Sequence, residues 1–243
     1  MKYNAIEYAD RPLYGLPVAV FDFETTGVNP QACRAVELSI VHLDLGKGNA
    51  REVYSSRLNP GVPIPEGASA VHGILDADVA ECKTFEEEWE EIHRCLDGRV
   101  LSAYNLSFDW TLLNCEYRRS GLWHPTSPDR SDLGFQFFGL CGFVMAKALD
   151  DHVRGGGSHR LGAVCERRGI VLDGAHSASA DALATASLLE VLLKEATERH
   201  GRFLTVRDFW GWQKAVAIEQ ERGLRNWLRE KGVENDYWPW TDY

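Results

Sequence analysis

Residues 18–24 read Val-Ala-Val-Phe-Asp-Phe-Glu, and this stretch restricts the fold more than any other. β-branched and aromatic residues favour a strand, and successive side chains of a strand leave opposite faces. Asp22 and Glu24 are two apart, so both carboxylates share the face begun by Val18 and Val20. Such a face is not ordinary core. Unpaired carboxylates a few ångströms apart repel, and burial makes the repulsion worse unless a cation compensates. No Lys or Arg lies between residues 12 and 33, so no local ion pair is on offer. A hard divalent cation held by oxygen ligands is the natural partner. The competing reading is an edge strand with a solvated acidic face. The alternation of Phe21 and Phe23 with the acids argues against it.

Further strands are expected at 35–45, 52–60 and 100–104, with Gly46, Gly48 and Asn49 turning between the first two. The stretch 60–68 is rich in Pro and Gly and reads as a loop. Thr84 with Glu87 has the form of a capping box and starts a helix to about Leu96. Helices follow over 107–119 and 142–151, with 121–135 between them loop-like. The run 154–158 is a glycine-rich connector, and Ser158 is placed to cap a helix carrying Leu161, Val164 and Cys165. Over 179–200, Ala182, Ala186, Leu189, Leu193 and Ala196 form one apolar stripe. Strands alternating with helices argue for an α/β fold around a mixed sheet.

The chain divides into an N-terminal segment (1–15), a main domain (16–200) and a C-terminal extension (201–243). Five of the eight tryptophans lie in the extension, at 210, 212, 227, 238 and 240. Thr205 with Asp208 can cap a helix over 207–231, which Gly232 would end. Its aromatics are expected to pack on the main domain, a partner or strand-stacking surface being the alternative.

The formal charge is −10, but residues 76–97 alone carry −7 and read as a solvated helix face. A polyanionic partner is therefore not excluded, while the balance argues against broad electrostatic coating of nucleic acid. Six cysteines occur without a CxxC pair, and no apolar signal core opens the chain. Reduced thiols and a cytoplasmic location are expected, with no membrane partner.

Two further acids join the first pair. Asp109 follows an apolar strand in the first turn of the next helix, and Asp181 sits near another helix start with His176 five residues before it. Taken singly, each acid is a favourable helix-start residue. For His176 to converge with Asp181 it must stand in the loop ahead of the helix, and Gly174, Ser177 and Ser179 make that break plausible.

The segments FDFETTG (21–27), AYNLSFDWTLL (103–113) and HSASADALATA (176–186), with VHGI (71–74) in order between the first two, resemble the motifs of the DEDDh 3′→5′ exonucleases. That group includes the proofreading ε subunit of DNA polymerase III, RNase T and oligoribonuclease. The resemblance covers about residues 16–195 and implies an RNase H-like α/β fold, a central mixed sheet flanked by helices. It implies that Asp22, Glu24, Asp109 and Asp181 hold two Mg²⁺ or Mn²⁺ ions and that His176 is the general base. It also implies substrate contacts by Thr25, Thr26, His72 and Phe108, with Asn105 supporting the site. Tyr104 stands where many members have His, and Ser-Ala-Ser-Ala fills the interval between His176 and Asp181 where many have an acid or Arg. Both departures bear on substrate preference rather than on the metal ligands.

The expected activity is metal-dependent release of nucleoside 5′-monophosphates from a nucleic-acid 3′ end, single-stranded or frayed DNA ahead of RNA. A polymerase or repair partner is then expected. The alternatives are trimming of RNA 3′ ends, a phosphohydrolase of small nucleotides, or a non-catalytic interaction module. Arg118, Arg119, Arg154, Arg160, Arg167 and Arg168 supply positive surface, with Arg154 and Arg160 nearest to the third motif. The remaining histidines, at 42, 93, 124, 152, 159 and 200, match no motif position.

Overall fold

The computed structural model describes residues 8–121, 139–201 and 205–233. Five strands form one sheet in the order β3-β2-β1-β4-β5, from β1 (Pro17–Thr25), β2 (Ala35–Asp44), β3 (Arg51–Arg57), β4 (Val100–Ala103) and β5 (Leu140–Cys141). β1 pairs antiparallel with β2, and β2 antiparallel with β3. β4 lies parallel to β1, and β5 parallel to β4. The eight described helices are α1 (Glu66–His72), α2 (Asp76–Val79), α3 (Phe85–Leu96), α4 (Leu106–Arg119), α5 (Gly142–Leu149), α6 (Leu161–Arg167), α7 (Ala178–His200) and α8 (Val206–Glu230). The expected mixed sheet flanked by helices is present.

The twofold alternation of β1 divides the core. Ala19, Phe21 and Phe23 pack with Leu38 and Ile40 of β2 against Phe85, Trp89 and Ile92 of α3 and Leu112 and Leu113 of α4. Val18 and Val20, with Val41 and Leu43, pack on the other face beneath Ala182, Ala186, Leu189 and Leu193 of α7. The small Ala182 and Ala186 bring the helix close to the sheet, whereas the leucines further along fill the space between them. Asp22 and Glu24 continue the face covered by α7.

Both expected capping boxes form. Thr84 Oγ1 accepts from the Glu87 N–H while the Glu87 carboxylate accepts from the Thr84 N–H, and Thr205 and Asp208 repeat the arrangement. Ser158 does not cap a helix. α6 begins at Leu161 with Arg160 at the N-cap, and the Ser158 hydroxyl instead donates to the Gly155 carbonyl, 2.9 Å away. A glycine connector can fold back on itself, so its first hydroxyl is used locally. The loop expected over 60–68 is cut short, because α1 begins at Glu66. Most of the 121–135 expectation, and Trp238 and Trp240, lie outside the described residues.

α8 closes the far edge of the sheet. Phe209 and Ala217 are buried, and so is Gln213 between them. The Gln213 amide accepts from the Cys141 N–H at 2.8 Å and donates to the Gly139 carbonyl at 2.9 Å. A side-chain amide thus occupies the hydrogen-bonding positions a sixth strand would take, which removes an open edge. Trp212 packs beside Phe209, and Trp227 is exposed. No described helix is long and apolar enough to cross a membrane.

Candidate metal centre

β1 ends at a bulge between Glu24 and Thr25, where the chain leaves the sheet. Up to that point, each residue of β1 has a direct partner on β2: Asp22 faces Ser39 and Glu24 faces Glu37. The first turn of α7 lies over this end. It brings Asp181 to the pair, so that one carboxylate oxygen each from Asp22, Glu24 and Asp181 lies within 4.8 Å of the others. Asp109, in the first turn of α4, stands outside that set. It is buried, and its Oδ1 accepts a 3.3 Å hydrogen bond from the Phe23 N–H, between the two β1 acids.

The electrostatics are those of like charges gathered out of water. Burial pushes the Asp22 carboxyl well above its ordinary range, and Asp109, Asp181, Glu24 and Glu37 push it the same way. Asp22 as a whole is only half-buried, but its carboxylate is largely cut off from solvent. Glu24 is raised to about 7 by burial and then by Asp181 and Glu37. Asp109 is raised to about 8 by burial, against the pull of the Phe23 N–H and its own N–H. Asp181 is raised by burial, while His176 favours its ionised form. Asp181 Oδ1 is buried without a hydrogen-bond donor.

Among the described residues, no Lys or Arg forms an ion pair with Asp22, Glu24, Asp109 or Asp181. The nearest arginine in sequence, Arg34, turns away to pair with the buried Glu116 at 2.8 Å. Glu116 also accepts from the Ala35 N–H and from Arg119, tying α4 to the start of β2. Carboxylate oxygens with raised affinity for positive charge, one of them lacking any donor, fit a hard divalent cation. Asp22, Glu24 and Asp181 would hold it, with Asp109 beside them.

His176 occupies the loop before α7, as convergence requires. It has φ +67°, and no other described residue except glycine has a positive φ. This left-handed geometry costs a side-chain-bearing residue about 1–3 kcal/mol, so surrounding contacts must enforce it. The ring is exposed next to Asp181.

The other expected contacts are distributed around the same end. The Thr25 hydroxyl donates to the Gly27 carbonyl at 2.7 Å, and the Thr26 hydroxyl accepts from the Arg34 N–H at 2.9 Å. Both bonds shape the loop. His72 Nδ1 accepts from the Ile74 N–H at 3.0 Å, which places the proton of the neutral ring on Nε2. That Nε2 is buried, on the side of the Thr25 carbonyl. Burial lowers the His72 pKa, against the Thr25 carbonyl and the Glu37 charge. Asn105 is exposed at the N-cap of α4 and accepts from the Ser107 hydroxyl, while Phe108 packs partly against the α3–α4 core.

Four of the six arginines expected at the surface are tied into the fold, and the Arg168 side chain is only 7% accessible. Arg167 and Arg168 pair with Asp150, Arg168 also pairs with Glu195, and Arg119 donates to the Gln31 and Cys33 carbonyls. Arg154 donates to the Asp151 and Val153 carbonyls of its own turn. Glu37 was missed by sequence reasoning. Its place opposite Glu24 depends on strand register, which residue spacing does not reveal.

Solved structures share this architecture. Exonuclease X in complex with 5′-overhanging duplex DNA superposes with a TM-score of 0.56 at 21% identity, over 79% of this chain and 99% of that one. E. coli exonuclease I in complex with a dT13 oligonucleotide gives 0.61 at 18% identity, over 76% of this chain and 43% of that one. The fold is that of the RNase H-like exonucleases. The family model for exonucleases of the RNase T type matches residues 19–189, and the chain belongs to that family.

A DNA polymerase III subunit epsilon-like protein of Rhodobacter capsulatus is 33% identical over 204 residues, covering 81% of this chain and 27% of that protein. A PolC-type DNA polymerase III of Streptococcus suis is 31% identical over 196 residues, covering 81% of this chain and 12% of that protein. The chain therefore spans only a minor part of the length of these relatives.

Proposed function

We propose that the chain is a divalent-metal-dependent 3′→5′ exonuclease that removes nucleoside 5′-monophosphates from DNA ends. The observation carrying this reading is the convergence of Asp22, Glu24 and Asp181 within 4.8 Å, with a fourth buried acid beside them. The family supports hydrolysis of nucleic acid, and the DNA polymerase III relatives support DNA over RNA and a polymerase partner.

Asp22, Glu24 and Asp181, with Asp109 beside them, would hold the two Mg²⁺ or Mn²⁺ ions. The bound cations supply charge that offsets the phosphodiester and the developing charge on the attacking and leaving oxygens. His176 accepts the proton of the attacking water on a ring nitrogen, and its exposure lets that proton pass to bulk solvent. The new bond joins the water oxygen to phosphorus. The bond from phosphorus to the 3′ oxygen of the preceding nucleotide breaks, and that oxygen takes up a proton to become the new 3′ hydroxyl. Thr25 and Thr26 present polar groups to the terminal nucleotide, His72 flanks Thr25, Asn105 supports them, and Phe108 offers an edge or face to its base.

The test uses 5′-labelled single-stranded DNA, mismatched duplex DNA and RNA of matched sequence, each with Mg²⁺, Mn²⁺ or chelator. A metal-dependent ladder shortening from the 3′ end, faster on DNA than on RNA, is expected. Faster trimming of RNA would reassign the substrate, and absence of hydrolysis on all three would overturn the proposal.

A further inference from the structure

The first turn of α7 separates His176 from Asp181, yet its N-cap residue, Ser177, makes no side-chain cap hydrogen bond. The missing acceptor comes from another element. Glu37 on β2 reaches across with Oε2 to accept from the Ala178 N–H at 2.9 Å. Ala178 is fully buried, so water does not substitute there.

Glu37 occupies an expensive place for an acid. It lies opposite Glu24 in the β1–β2 register, its side chain is 16% accessible, and its charge opposes ionisation of both Asp22 and Glu24. Arg57 is a weak counter-charge, with Nε 3.9 Å away and its own side chain 46% exposed. The same arginine lies 3.7 Å from Asp78 of α2. A carboxylate kept beside like charges needs a compensating use, and the start of a helix, with free N–H groups and a partial positive charge, provides one.

We infer that Glu37 is a positioning residue for the reaction proposed above, a latch from β2 that caps α7 and thereby fixes His176 and Asp181 relative to Glu24. The latch joins the strand bearing one metal-site acid's partner to the turn bearing the other acid. It also supplies the outside constraint that the left-handed backbone at His176 demands, two residues before the capped N–H. Glu37 itself touches no reacting atom in this scheme.

The inference rests on the exonuclease reading, so the test includes measurements that do not need turnover. Full-length Glu37→Leu and Glu37→Gln are compared with the parent chain. Leucine removes the acceptor, and glutamine keeps an oxygen at the same reach without the charge. Glu37→Leu is expected to lower kcat on a DNA oligonucleotide about 10–100-fold. Its KM should stay within about threefold of the parent value. Mn²⁺ affinity, read by electron paramagnetic resonance, should weaken about tenfold. Exchange of the Ala178 amide should accelerate.

Glu37→Gln is expected to restore kcat to within about threefold of the parent, together with Ala178 protection. Parental kcat and Mn²⁺ affinity in Glu37→Leu would overturn the latch, as would a glutamine variant as defective as the leucine one. Should Glu37→Leu not fold, rapid exchange of the Ala178 amide in the parent would overturn it equally. A parent chain inactive on every nucleic acid would sink the exonuclease reading, and amide protection with Mn²⁺ affinity would still judge the latch.

Discussion

On the face covered by α7, the β1–β2 pair changes character halfway along. Val18 faces Leu43 and Val20 faces Val41, all fully or almost fully buried beneath the Ala and Leu stripe of the helix. One step further, Asp22 faces Ser39, and then Glu24 faces Glu37. Backbone pairing is continuous through both halves, so the sheet spends the same hydrogen bonds on each. The difference lies in what the side chains do for stability. The apolar half gains by leaving water, whereas the acidic half holds like charges together against their preference. Folding energy gathered at one end keeps a destabilising arrangement intact at the other, a pattern that belongs to functional sites.

Substitutions in the two halves should therefore separate activity from stability. Asp22→Ala, at the centre of the acidic half, is expected to abolish metal-dependent hydrolysis. It should also raise the melting temperature of the metal-free chain, because a carboxyl held out of water among other acids is gone. Calorimetric melting alongside a nuclease assay checks both. His176→Ala should lose about 10²–10⁴-fold in kcat while Mn²⁺ binding persists, as single-turnover assays and a metal titration would reveal.

In the apolar half, Leu189→Ala should cost about 2–5 kcal/mol of stability. Denaturant unfolding measures it, and kcat per folded molecule should remain parental.

The smallest effect is on pH dependence. Glu24 and Asp109 titrate near about 7 and about 8 in the folded chain, above their unfolded values. Folding thus favours their protonated forms. The stability they contribute is complete below about pH 4 and is lost as pH rises through 7 and 8. The melting temperature of the metal-free chain should fall over that window, and Mn²⁺ should recover more of it at pH 8 than at pH 5.

The same two halves show what a sequence discloses. The alternation in 18–24 put both acids on one face, and the spacing of His176 and Asp181 required a loop before the helix, which the left-handed backbone at His176 provides. The capping boxes at Thr84 and Thr205 were equally legible, because each is a local reciprocal bond. α1 was not, since none of its seven residues is fully buried and no apolar period marks it. β5 is two residues long, and its open edge is completed by Gln213 from 72 positions away. Glu37 depends on cross-strand register, and Arg167 and Arg168 on helix packing. Those contacts are tertiary, and no local pattern announces them.

The most direct test of the metal centre is calorimetric titration of the metal-free chain with Mn²⁺ at pH 7.5 in two buffers of different ionisation enthalpy. Acids that hold protons near neutrality must release them as the ion enters. Saturable binding whose apparent enthalpy differs between the buffers, and which Asp22→Ala eliminates, is the expected result. Absence of binding, or binding that survives Asp22→Ala unchanged, would contradict it.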